Sequence, residues 1–197
     1  VSMDPTGNTD PKIVKQSIVR LTLHEVGHTL GLNHNFKASH LHDPVSVHDS
    51  LITQKSGVTA SVMEYPAVNI APLGVEQGDY YDVVTGAYDN WAIEFGYTPN
   101  LSDQKRDQIL FRSDEPELIF GNDADDMRSP GRGIDPRAMT NDLTNDPITY
   151  AVQRIELVNQ TFKDLPTKLE AKSWEEFENA YQTFFRESSR SLQTVSR

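Results

Sequence analysis

The chain has 197 residues and carries 29 Asp and Glu against 18 Lys and Arg, a net charge of −11. That length suits one domain or a domain with an extension, and the acidic balance argues against nucleic acid, because phosphate binding needs basic patches. Cysteine is absent, which removes disulfides and thiolate metal sites and leaves histidine and carboxylate as metal ligands; no apolar run reaches the ~20 residues of a membrane span.

Residues 1–9 are polar, contain Pro5 and Gly7, and read as a loop. Asp10 followed by Pro11 is a helix start, an N-cap acceptor ahead of a proline in the first turn. Apolar residues Ile13, Val14, Ile18, Leu21 and Leu23 continue the pattern to Leu30, so a helix is expected over about 11–31. Its last turns hold His24-Glu25-Val26-Gly27-His28-Thr29-Leu30-Gly31-Leu32-Asn33-His34, the pattern H-E-x-x-H-x-x-G-x-x-H. Four residues apart on a helix, His24 and His28 project from one face and can grip one Zn²⁺, with Glu25 beside them as general base. Gly31 permits a left-handed turn out of the helix, which can swing His34 back as the third ligand. Three protein ligands leave the fourth position open, the catalytic rather than the structural arrangement of zinc. A bare H-E-x-x-H arises by chance; the extended form fixes five positions over eleven residues.

Residues 36–60 read as irregular and hold His40, His42 and His48 with Asp43 and Asp49. A solvated polar loop accounts for them better than a second metal site, and their individual roles stay open. Segment 61–73 contains Ser61-Val62-Met63-Glu64-Tyr65, then Pro66 and Pro72. The next helix is expected over Gln77–Gly96, starting near Asp79 or Asp82, with an apolar stripe of Tyr81, Val84, Ala87 or Tyr88, Trp91 and Phe95. Glu94 on that helix is the runner-up to His34 as third ligand. Ser102 can cap a short helix to about Phe111, and Leu118–Phe120 suit a short strand. Gly121-Asn122-Asp123-Ala124-Asp125-Asp126 packs oxygen donors that Ca²⁺ accepts, although an acidic surface loop is the plainer reading and the EF-hand pattern is absent. Ser129–Asp146 is a long loop. Asp146-Pro147 repeats the cap-and-proline signal, opening a helix to about Phe162. Ser173-Trp174-Glu175-Glu176 is a capping box for a helix to about Leu192, with Trp174, Phe177, Tyr181, Phe184 and Phe185 on one face.

The long histidine motif together with Ser61-Val62-Met63-Glu64-Tyr65 resembles the metzincin clan of zinc peptidases, which pairs that motif with a methionine turn. The S-x-M-x-Y form looks most like the astacin and serralysin branches. Asn35 after the third histidine, and the runs His34–Ser39 and Tyr65–Asn69, look more like large bacterial secreted or periplasmic metalloproteases with a met-zincin domain. The resemblance covers roughly residues 10–160. It implies that Met63 is the apolar floor of the site, and that Tyr65 is a fifth ligand or an oxyanion partner. It also implies a Zn²⁺ endopeptidase acting on a peptide or protein substrate, in a periplasmic or secreted location. The expected fold is mainly α, as the lower, C-terminal part of a metzincin-like α+β domain. The upstream sheet, with its substrate-binding edge, would belong to a missing N-terminal part of a longer parent chain. Residues 1–145 would form the zinc-site region and 146–197 a helical C-terminal extension. Two other classes remain open: a non-catalytic zinc-containing module that binds peptides or glycans, and a structural zinc site.

Overall fold

A computed structural model describes residues 10–126, 135–168 and 173–196. Six helices carry the architecture, and no strand occurs among the described residues. Helix α1 spans Pro11–Thr29, α2 Ser50–Ser56, α3 Ala87–Tyr97, α4 Asp103–Phe111, α5 Pro147–Lys168 and α6 Trp174–Val195. Short 3₁₀ turns occupy Ala38–Leu41, Ser46–His48 and Pro116–Leu118. The molecule is therefore mainly α, as expected.

The start signals act as their chemistry dictates. Asp10 accepts a hydrogen bond from the Lys12 amide at 2.8 Å, ahead of Pro11. Ser102 receives the Lys105 amide at 3.3 Å to open α4. Ser173 receives the Glu176 amide at 3.2 Å to open α6. Helix α5 runs past the expected Phe162 to Lys168, and α6 ends at Val195 rather than near Leu192.

Three expectations need correction. Helix α2 lies inside the segment read as irregular, started by Asp49, whose carboxylate accepts from the Leu51 amide at 2.8 Å. Leu118–Phe120 is not a strand; Leu118 closes a 3₁₀ turn and is buried. The helix expected over 77–96 begins only at Ala87. Tertiary contacts hold the preceding stretch out of a helix. The Tyr80 amide donates to Gln16 on α1 at 2.7 Å. Asp79 takes Gln16 Nε2 at 2.6 Å and Thr53 Oγ1 at 2.7 Å, and Asp82 takes the Val58 and Thr59 amides at 2.7 and 2.9 Å. Gly86 lies so close to the Ala60 carbonyl that a side chain there would collide with backbone. Buried carboxylates that satisfy loop amides override helix propensity, because an unpaired buried amide costs more than a helical turn returns. The expected loop at residues 1–9 and the first part of that over 129–146, residues 129–134, lie outside the described residues; residues 135–146 carry neither helix nor strand, as a loop should.

The core is built from loops packed around short helices. Val47, Val58 and Leu143 are buried together with Tyr150, which reaches in from the first turn of α5. Helices α5 and α6 pair as a hairpin, with Phe162 edge-on to Tyr181 and Phe184 at 5.7 and 6.2 Å. Arg154 ties the hairpin down, donating to Glu187 at 2.8 Å and to the Ile70 carbonyl at 3.4 Å. Trp174 and Phe185, expected on the same apolar face of α6, remain exposed.

Candidate metal centre

The end of α1 sets the site. Gly31 takes φ 88°, the left-handed conformation that glycine adopts without strain. The Leu32 amide then donates to Gly27 O at 3.1 Å and the Gly31 amide to His28 O at 3.0 Å, the paired bonds of a Schellman turn. This reversal brings His34 against the helix. The His24 ring centroid lies 4.7 Å from His28 and 5.4 Å from His34, and His28 and His34 are 4.9 Å apart. One ligand nitrogen from each ring lies within 4.8 Å of the others.

Each imidazole is anchored through its other nitrogen. His24 Nδ1 meets Val62 O at 2.8 Å, His28 Nδ1 meets Leu32 O at 3.0 Å, and His34 Nδ1 meets Asp123 Oδ2 at 2.9 Å. An oxygen acceptor at Nδ1 makes that nitrogen the donor, so the lone pair sits on Nε2. Nε2 of both His24 and His34 is buried without a hydrogen-bond partner. Burial also lowers the His24 pKa, with the Arg20, His28 and His34 charges adding to that effect and the Val62 contact opposing it. Three converging imidazole nitrogens, two of them buried and orphaned, offer what a Zn²⁺ ion requires, and the donor set fits it.

The segment 61–65 lies beneath this cluster. Asp89, in the first turn of α3, receives Ser61 Oγ at 2.6 Å and the Val62 amide at 2.9 Å. Ser61 Oγ in turn receives the Met63 amide at 3.1 Å. Met63 is fully buried, and its carbonyl accepts from the Asn35 amide at 3.2 Å. A side-chain carbon on Gly27 would press into the Met63 sulfur, so the thioether packs directly under the helix between His24 and His28. The Tyr65 ring stacks on His24 at 5.0 Å and lies 4.7 Å from His34. Glu64 is wholly buried between them in sequence, accepting the Tyr65 amide at 2.9 Å and the Ser39 amide at 3.2 Å. Burial first, and then the nearby Asp142, raise its pKa well above the ordinary carboxylate range.

Thus His24, His28, His34, Met63 and Tyr65 come together in one place. Glu25 is exposed on α1 between the first two histidines. Glu94 does not join them: it pairs with Lys105 at 2.8 Å, and that bond lowers its pKa. The remaining histidines disperse. His42 Nε2 meets Gly57 O at 2.9 Å, His40 lies 3.8 Å from Asp142, and His48 stacks 6.5 Å from Tyr150. Among the described residues, the three-histidine group is the one set of side chains placed to share an ion.

Several contributors were not legible as such. Asp123 appeared only as part of an acidic run, yet it holds His34 from 89 positions away. Asn35 delivers it: its side chain donates to Ile119 O at 3.0 Å and accepts the Gly121 amide at 3.2 Å. The adjacent loop closes on itself through Asn122 N to Asp125 Oδ2 at 3.0 Å. Arg20 and Asp89 carried no sequence signal; Gly27 was visible only as a variable position inside the motif.

A helix-borne histidine pair, a third histidine returned by a glycine turn, and a buried methionine beneath define a metzincin-like zinc site. Comparison agrees with the geometry: the chain matches the Met-zincin family over residues 6–197 and belongs to that metzincin-like family of zinc metallopeptidases. No curated protein and no solved structure matches the chain.

Proposed function

We propose that the chain carries the catalytic centre of a zinc-dependent endopeptidase. The observation that carries this reading is the set of three imidazoles, each locked by an oxygen at Nδ1, with Nε2 of His24 and His34 buried and unpartnered. His24, His28 and His34 would hold the ion, which supplies Lewis acidity and a water acidified toward neutral pKa. Three rather than four protein ligands fit a catalytic site better than a structural one.

The chain's own groups do the rest. Glu25 is exposed and makes no hydrogen bond or ion pair with the described residues, so its carboxylate is available to accept a proton from the attacking water and return it to the leaving amine. The Tyr65 phenol, whose ring stacks on His24, donates to the oxyanion that forms at the scissile carbonyl. Met63, fully buried, fixes the floor. The same reading makes these helices the C-terminal part of an α+β domain. The outward apolar residues Val14, Ile18 and Leu21 of α1 support it, since they are exposed here.

The test is hydrolysis of a quenched-fluorescent peptide library by the zinc-loaded chain beside Glu25→Ala. Turnover should fall about 10²–10⁴-fold at unchanged zinc content. Equal rates would remove Glu25 from the mechanism. Zinc binding without cleavage by the parent would favour a non-catalytic peptide- or glycan-binding module.

A further inference from the structure

A cavity of about 360 Å³ opens beside the histidine cluster, lined by Arg20, Tyr65, Pro66, Tyr81, Thr140 and Asn141 among others. Tyr65 belongs to both places, because its ring stacks on His24 and the residue also lines the cavity. Arg20 lies four residues before His24 on α1 and so shares its face. We propose that this cavity is a subsite for a peptide carboxylate, and that Arg20 selects it.

Arg106, Arg112, Arg137 and Arg154 each pair with a carboxylate, while Arg186 and Arg190, which do not, are exposed to solvent on α6 and Arg20 is half-buried. Arg20 pairs with none among the described residues, in a chain whose net charge is −11. It is held in place without being neutralised. One terminal nitrogen donates to the Glu64 backbone carbonyl, and the guanidinium lies 5.4 Å from the centroid of the Tyr65 ring. Its Nε is buried and has no hydrogen-bond partner. A half-buried guanidinium left uncompensated is costly unless an anion completes it. The positive charge also reaches the surrounding groups, since Arg20 acts electrostatically on both His24 and Tyr81.

The rest of the wall suits the same ligand. The Tyr65, Tyr81 and Thr140 hydroxyls and the Asn141 amide are all donors. No hydrogen bond engages the phenol of Tyr65 or Tyr81 among the described residues. Pro66 supplies apolar surface for the methylenes of a side chain. A carboxylate entering here would meet the planar fork of an arginine, the group best matched to it. The proposal rests on the peptidase reading, which supplies the peptide; the discrimination by charge is a property of the cavity.

Binding of three short peptide hydroxamates to the zinc-loaded chain, measured by calorimetry, tests it. One probe has a glutamate side chain and an amidated C-terminus. The second has glutamine and a free C-terminal carboxylate, and the third has glutamine and an amide. One of the two carboxylate probes should bind about ten- to a hundred-fold more tightly than the neutral one, and which one does so tells an acidic side chain from a chain terminus. Arg20→Gln should erase that ratio, and Arg20→Lys should retain part of it. Equal binding of all three probes, no binding of any, or a ratio that survives Arg20→Gln would overturn the proposal. A retained ratio in a chain that cleaves no peptide would sink the hydrolytic reading and leave the subsite standing. Cleavage of the library without a carboxylate preference would do the reverse.

Discussion

Replacing Gly27 with alanine sets two effects of opposite sign against each other. Inside an exposed helix the change is favourable by roughly 0.5–1 kcal/mol, because alanine has less backbone entropy to lose. Gly96 on α3 is such a position, since a Cβ there meets nothing within 4 Å. At Gly27 the new carbon would stand closer than 3.0 Å to Met63 Sδ, with Met63 Cε at 3.6 Å and Leu32 Cδ1 at 3.7 Å. Met63 is a flexible residue but is fully buried, so the sulfur moves only by displacing packed neighbours. Overpacking of that kind costs about 1–3 kcal/mol, which outweighs the helix gain. The net loss is then about 1 kcal/mol, or a urea midpoint lowered by about 0.5 M at a slope near 2 kcal/mol/M. Urea unfolding of the metal-free chain reads this directly, with Gly96→Ala as the internal control expected to rise. A Gly27→Ala variant at least as stable as the parent would refute the claim that Met63 is clamped beneath the helix.

Two further outcomes follow from the buried carboxylates and the metal ligands. Asp123→Ala leaves His34 Nδ1 without its acceptor, and zinc affinity by chelator competition should fall about 10–100-fold; a change within twofold would show that the loop does not orient His34. The Asp82 carboxyl is pushed up to about 6 by burial, against the bonds it accepts from Thr59 and Val58. The folded chain therefore holds this proton more tightly than the unfolded one. The stability gained is present below about pH 3.8 and is lost as pH rises through about 6, roughly 3 kcal/mol in all. Asp82→Asn keeps an acceptor for the Val58 and Thr59 amides, so its unfolding free energy should fall less than the parent's between pH 4 and 7. Parallel curves for the two would assign the pH dependence elsewhere.

What the sequence by itself determined is local. The cap at Asp10 and Pro11, the four-residue spacing of His24 and His28, and the left-handed turn at Gly31 each follow from chemistry within one helical turn. That is why α1 and the three imidazoles were legible, and why the starts at Ser102, Pro147 and Ser173 were placed correctly. The tertiary structure decided what lies on the far side of each contact. Val62, Leu32 and Asp123 anchor the histidines, yet two of these act through backbone carbonyls that every residue possesses. Asp79 and Asp82 read as helix-start acids, and only the fold shows them buried, receiving donors that keep residues 77–86 out of a helix. Asn35 carries no mark of the cross-link that brings residue 123 to residue 34. Local propensity is written in neighbouring residues; which distant amide, carbonyl or sulfur completes a buried group depends on where the chain returns, and that emerges only when the loops close.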